Sequence, residues 1–432
     1  MPLAHPVGFS PAEISRRVND DVVSRHAEEA AFLWTLRSRA DTEPHYGLKE
    51  LARLDERIEA HVSGLRVSPD EGWRHCQKNL ALNCAGELFA ASVLAFWAGD
   101  RGRMREVLFT GCAAPGGTSG LISALGWLEH ESVFSWIARL LQARQPLHRA
   151  VGLAACAIRR EDPSDALVAS VRDRHPALRA RALRMVGEIK RSDLLDAVHA
   201  CRHDEDGECR FWAAWTLALN RERAGVTALL PWFEAETPFT MPALQLGLRA
   251  MDIKEAQSWV SSFGEDPARA RTAVMAAGIV GDPAAIPWLI RRMESSDLAR
   301  LAGEAFTVIT GVDLAYHDLD RDPPVLAPRQ NEEATLEETV ADLDYESNLR
   351  WPSAERVAEW WEKNVHAFTP GLRHLGGQAI TPKSALDVLT KGKQRLRAAA
   401  ALELALLNPE QPLFEVRARG DWQERALHVW NS

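Results

Sequence analysis

His199, Cys201, His203 and Cys209 form the one His/Cys cluster of the sequence, and His199 and His203 stand four apart, the spacing that puts two metal ligands on one helix face. The pattern goes no further. An acid-rich turn separates Cys201 from Cys209, and neither CxxC nor HExxH occurs around them, so a turn with core thiols accounts for the cluster. His130 with Glu131 is a single His-Glu pair, and one such pair cannot hold two metal ions. The stretch APGGTSG (114–120) is glycine-rich before a helix but lacks the Lys that would reach a phosphate, which leaves a turn. In DLDRD (318–322) the acids alternate as in a calcium loop, yet Pro323 and Pro324 occupy the places of the sharp-turn Gly and later ligands, and no Glu closes the loop. These residues define no catalytic centre, metal site or cofactor site, and the expectation is a protein that is not an enzyme.

Charge is distributed unevenly. Residues 313–347 carry eleven Asp or Glu against two Arg, and so bear the whole formal net charge of −9; the remainder of the chain sums to zero. A duplex-binding groove needs surplus Lys and Arg, which this balance does not supply. With 46% hydrophobic residues, the 432-residue chain can build a large core. The opening MPLAHPVGFSPAEISRR has no apolar run of signal-peptide length, and no uninterrupted apolar run is long enough for a membrane span. The six Cys (76, 84, 112, 156, 201, 209) follow no disulfide framework. Together these features point to the cytoplasm.

A repeat organises the middle of the chain. Markers at Pro115, Pro146, Pro176, Gly207 and Pro267 open helices with a period of roughly 30 residues, with blurred copies near Pro238 and Asp297. Six residues after a marker stands a small or apolar residue and eleven after it a small one: Gly152 and Ala157, Ala182 and Gly187, Ala213 and Ala218, Ala273 and Gly278. Small residues there let a neighbouring backbone pass close. Each unit reads as two helices. In GDPAAIPWLIRRMESSD the Asp282 side chain caps helix A, Pro283 sits in the first turn where no amide hydrogen is needed, and Ile286, Leu289, Ile290 and Met293 share a face. Helix B comes next, as in HPALRARALRMVGEIK. Neither helix alone hides its apolar stripe, so the units must stack, and the expected fold is an all-α solenoid.

Four segments result: an N-terminal helical cap (1–98), the repeat array (99–311), an acidic insertion (312–350), and C-terminal helical repeats with a cap (351–432). In the cap, SPAE (Ser10 to Glu13) is a capping box, and Ala27, Ala31, Trp34 and Leu36 are available for packing. Trp136, Trp232, Trp259 and Trp288 fall within helix A segments and are expected in the core. Trp351, Trp360 and Trp361 flank the insertion, where they either line a groove or seal a break in the stack.

The GDPAAIPWL units resemble HEAT repeats of the short bacterial type. Arg149, Arg179, Arg210 and Arg300 recur three places into helix B, with Asp173, Asp206 or Asp297 in the turn before. The resemblance implies an Asp/Arg ladder between consecutive turns; a phosphate-binding stripe is the other reading. The run HAEEAAFLWTLRSRA, then PHYGLKELARLDERIEAHVSGLRV and GW, is similar to the opening of a proteobacterial family of HEAT-like proteins encoded among type VI secretion effector and spike genes. That resemblance covers most of the chain and implies a context of toxin delivery and self-protection, with no catalytic motif to carry over.

The insertion is too apolar for a simple solvated loop. Leu314, Leu319, Val325, Leu326, Leu336, Val340 and Leu343 lie in it, with two of the chain's three Tyr, and TLEE (Thr335 to Glu338) is a capping box. The expectation is a segment folded onto the solenoid by its apolar side, its acids outward. The candidate partner-binding residues are Tyr316, Asp318, Asp320, Asp322, Glu332, Glu333, Glu337, Glu338, Asp342, Asp344, Tyr345 and Glu346. Complementary charge speeds encounter with a basic partner. The function expected is an immunity protein that covers the active-site face of a cognate toxin, a basic nuclease domain. Other readings are a brace where the array changes direction, an adaptor loading an effector onto the secretion spike, and a HEAT-like DNA-repair glycosylase.

Overall fold

The computed structural model describes residues 19–114, 116–264, 266–324, 346 and 348–430. In chain order the helices are α1 (Asp20–Ala40), α2 (Leu48–Val67), α3 (Pro69–Asn79), α4 (Ala85–Ala98), α5 (Arg101–Ala113), α6 (Gly117–Trp127), α7 (His130–Leu141), α8 (Pro146–Arg159), α9 (Asp165–Ser170), α10 (Pro176–Glu188) and α11 (Leu195–Ala200). Next are α12 (Gly207–Leu219), α13 (Arg223–Leu229), α14 (Thr240–Ala250), α15 (Ile253–Gly264), α16 (Ala270–Val280), α17 (Ile286–Arg292) and α18 (Ala299–Thr310). After the insertion come α19 (Ala354–Asn364), a small hairpin of β1 (His374–Leu375) and β2 (Gln378–Ala379), then α20 (Pro382–Lys391), α21 (Gln394–Leu407) and α22 (Gly420–Trp430). The fold is all-α, a solenoid of short helical hairpins.

The repeat read from sequence lands on helix starts. The B helices α6, α8, α10, α12, α14, α16 and α18 begin about 30 residues apart. Pro146, Pro176 and Gly207 are themselves first helical residues, and the blurred copies near Pro238 and Asp297 are the starts of α14 and α18. Proline suits that place because the first amide of a helix has no acceptor within it. Asp282 caps as expected, its Oδ1 accepting from Ala284 N at 2.9 Å, although the helix A it opens begins with a 3₁₀ turn, Pro283–Ala285.

The chain divides into two compact units, one comprising residues up to 40, 49–169 and 417–425, the other comprising 41–48, 170–416 and the residues from 426 onward. In the first, α1 packs on α3 and α4, and α4 packs on α6. Ala27, Ala31 and Trp34 are buried as the amphipathic pattern requires, and Leu36 is half-buried. Trp34 stacks on Phe89, whose ring meets the edge of Trp127. The C-terminal residues 417–425 belong to this unit as well. Arg37 pairs with Asp55 at 2.9 Å, and the two then take up Ala418 O and Gly420 N. A buried ion pair thus finds its remaining hydrogen bonds in a segment far away in sequence, which periodicity cannot show.

In the second unit the B helices α10, α12, α14, α16 and α18 lie side by side in order, with α13, α15 and α17 packed on them. Gly278 is small for the expected reason: a Cβ there would sit 2.9 Å from Ala305 Cα on the next B helix. Residues 371–377 form a strap across the C-terminal ends of three B helices. His374 N donates to Gly281 O at 2.7 Å, Gly376 N to Val308 O at 2.8 Å, and Arg373 Nη2 to Leu248 O and Met251 O at 2.8 Å each. These carbonyls have no acceptor role inside their own helices, so the strap satisfies α14, α16 and α18 together. Gly281, at φ +75°, ends α16 where a side chain would strike His374 O.

The C-terminal pair differs from a simple continuation of the row. Helices α20 and α21 do pack on each other, but α21 lies on α12 and α14. Its buried Ala399, Ala400, Ala401 and Ala405 permit that close approach. The Trp pair seals: Trp361 is buried among Val274, Leu301 and Phe306, and Trp360 meets the Phe306 ring edge-on. Trp136, Trp232, Trp259 and Trp288 are half-buried, short of the core expected for them, and Arg139 and Arg292 lie over Trp136 and Trp288 at 4.4 and 5.1 Å.

Candidate protein-interaction surface

The described part of the insertion begins with a tight turn. Asp313 Oδ1 accepts from Ala315 N at 3.0 Å and Tyr316 N at 3.1 Å, while Leu319 N returns to Leu314 O at 2.7 Å. Asp318 closes the turn at φ +55°, a conformation Asp tolerates better than most side chains. Leu314 and Leu319 are buried in the cluster that holds Phe306, Val357 and Trp361, so this turn folds onto the array, while Val325, Leu326, Leu336, Val340 and Leu343 lie outside the described residues.

The returning strand locks this turn. Arg321 N donates to Trp351 O and Ser353 N to Leu319 O, both at 2.8 Å, and Asp320 bridges to Pro352. Arg356, in the first turn of α19, donates through Nη1 to Asp318 O at 2.8 Å and Asp320 O at 3.0 Å. That guanidinium ties the start of α19 to the backbone of the turn. Tyr316 is 83% exposed and its ring meets His317, and Asp318, Arg321 and Asp322 of the same stretch are exposed as well. Asp320 is half-buried, 4.0 Å from Arg350.

Glu346 departs from the expectation of outward acids. Only 2% exposed, it pairs with Arg271 and, at 3.4 Å, with Arg300 Nε; its carbonyl accepts from Arg300 Nη1 at 2.8 Å. It is an anchor between B helices α16 and α18, because two guanidiniums there hold its carboxylate out of water. Trp351 lies against the same Arg300, 5.3 Å from ring centre to guanidinium carbon. Glu332, Glu333, Glu337, Glu338, Asp342, Asp344 and Tyr345, with the capping box at Thr335, lie outside the described residues.

Arg271 and Arg356 are the supporting residues that sequence reading missed. Arg271 stands just after Arg269 and Ala270 at a helix start and carries no spacing that would single it out. Arg356 offered a weak signal, as a cation near the end of the acidic window.

The recurring arginines are engaged. Arg179 holds Asp204 of the following turn by two hydrogen bonds of 2.7 Å and donates to Asp173 O at 2.6 Å. Asp204 Oδ1 also accepts from Asp206 N, and Asp206 caps α12 through Cys209 N. Arg210 reaches Asp204 O and Glu205 O. Arg179 and Asp204 make one rung of the ladder, with the acid in the turn before the next B helix, α12, while Arg149 donates to the carbonyls of Ala143 and Arg144 ahead of its own helix. For Arg300 the rung is Glu346.

The remaining constellations have other uses. Cys209 is buried and its thiol donates to Pro176 O; burial raises its pKa and that of Cys201. Among the described residues no group of three His, Cys, Asp or Glu is placed to hold a metal ion. His130 pairs with Glu161, 2.8 Å away. No helix among the described residues is long and apolar enough to cross a membrane.

Residues 164–241 match the family model of HEAT repeats. The stacked hairpins are thus HEAT-like, and repeat solenoids of this kind are scaffolds for protein interaction. Among curated proteins none matches the chain.

Proposed function

We propose that this chain is a non-catalytic, protein-binding scaffold that acts in the cytoplasm as a type VI secretion immunity protein, covering the active-site face of a cognate toxin. The toxin fitted by the surface is a basic nuclease domain. One observation carries the reading: a locked turn presents Tyr316 to solvent in a stretch whose Asp318 and Asp322 are also exposed. A rigid aromatic residue is a strong interface anchor because little side-chain entropy is lost when it docks, and surrounding carboxylates steer a cationic partner. Glu332, Glu333, Glu337, Glu338, Asp342, Asp344 and Tyr345 remain candidate partner-binding residues in this proposal. The secretion context comes from the sequence resemblance.

The test is a protection and binding assay with the product of the neighbouring toxin gene. Tyr316→Ala combined with Asp318→Asn and Asp322→Asn should weaken the complex on the order of 100-fold, with a steep salt dependence in the unaltered protein. Full protection by the triple variant would sink the reading. If deletion of the gene instead abolishes secretion of an effector and leaves siblings harmless, the same surface serves an adaptor.

A further inference from the structure

We infer that the face formed by α12, α14, α16 and α18 is closed to partners because α21 occupies it as a built-in helical ligand. Ties run along the whole helix. At its start Gln394 is fully buried, its backbone N–H donating to Tyr46 O at 2.7 Å and its Nε2 to Val416 O at 3.1 Å. Arg397, also fully buried, donates to Leu389 O at 2.7 Å and to the Gln394 side chain. Arg395 pairs with Glu304 on α18. Midway, Glu403 meets Arg249 of α14 at 3.2 Å, their side chains only 7% and 2% exposed. Near the end, Lys190 Nζ bridges Ala405 O at 3.1 Å and Leu219 O, the last residue of α12, at 2.6 Å. Beyond the helix, Leu413 N donates to Glu188 O of α10 at 2.9 Å.

The fit leaves little room. The cavity among Met241, Gly278, Ala305, Arg395 and Ala399 measures about 40 Å³, far below the several hundred of a ligand site. A buried ion pair fixes register, since any shift of α21 would leave Arg249 and Glu403 as unpaired charges out of water. A duplex or a partner helix laid along these B helices would have to displace all of this. Groove binding of nucleic acid, which a repair enzyme of this architecture requires, is therefore blocked. The consequence for partner choice rests on the proposed function: contact falls on surfaces that α21 leaves open, the Tyr316 turn among them.

Native-state hydrogen exchange on the intact chain tests the closure without a partner. Amides of residues 399–406 should exchange within about tenfold of those in α12 and α14, as parts of one cooperative unit. Exchange of α21 on the order of 100-fold faster, with α12 and α14 still protected, would overturn the inference and make α21 a latch. In Glu403→Gln, protection of α21, α12 and α14 should fall together; a fall confined to α21 would also overturn it. Both outcomes are independent of the toxin assay, so closure and the immunity reading can fail separately.

Discussion

Arg179 and Asp204 meet as a bidentate ion pair, Nε to Oδ2 and Nη2 to Oδ1 both at 2.7 Å, joining consecutive turns of the array. The geometry matches the planar fork of the guanidinium to the two carboxylate oxygens. The Arg179 hydrogen bond holds the Asp204 carboxyl below its ordinary range. Folding thus favours the charged form: its stability contribution is present above the unfolded value of about 3.9 and is lost as pH falls through the lower folded value. Asp204→Asn should cost about 2 kcal/mol at pH 7 in urea unfolding and flatten the acid limb of the stability curve. An unchanged midpoint would mean that the rung is a surface pair of no consequence.

Glu346 anchors the insertion between two arginines. Its replacement by Ala removes the carboxylate that Arg271 and Arg300 share, at a cost of about 1–2 kcal/mol, because Arg271 is half exposed and regains water. Asp322→Ala, on the exposed side of the same segment, should stay within about 0.5 kcal/mol of the parent. Comparable urea midpoints for the two variants would contradict the anchor.

Gly278 faces Ala305 across two B helices, with no room for a side chain. Gly278→Val should destabilise by about 2–3 kcal/mol through overpacking, and Gly278→Ala by less. Thermal unfolding of both would decide it; a neutral Val variant would show that the helices can separate at little cost.

His26 and His61 join α1 to α2, with Nδ1 to Nδ1 at 3.1 Å, so one ring must donate while the other accepts. Burial, aided by His26 and Arg57 and opposed by Glu29, holds the His61 imidazole below its ordinary pKa. The unfolded chain then takes up the proton more readily than the folded one. Stability is full above about pH 6.5 and is lost as pH falls below it toward the folded value. Urea midpoints between pH 7.5 and 5.5 should fall for the native chain and change less for His61→Phe. Equal slopes would remove the pair from the account.

Legibility tracked the range of each interaction. The helix starts at Pro146, Pro176 and Gly207, the Asp282 cap and the small residues at Gly187 and Gly278 were readable, because each reflects backbone chemistry or the nearest repeat. The apolar anchoring of the insertion through Leu314 and Leu319 was readable from hydrophobicity. Glu346 was not, since a buried carboxylate and a solvated one look alike in sequence, and only the arrival of Arg271 and Arg300 distinguishes them.

By itself the sequence determined that helices form, about where they start, and that each must hide an apolar stripe against the next, because capping, proline placement and periodicity act over a few residues. Tertiary structure decided what fills the face those helices present. The ties of α21 to α12, α14 and α18, and of the 371–377 strap to three helix ends, join backbone carbonyls and buried charges far apart along the chain. Such bonds depend on which groups meet in space, and no local pattern records that.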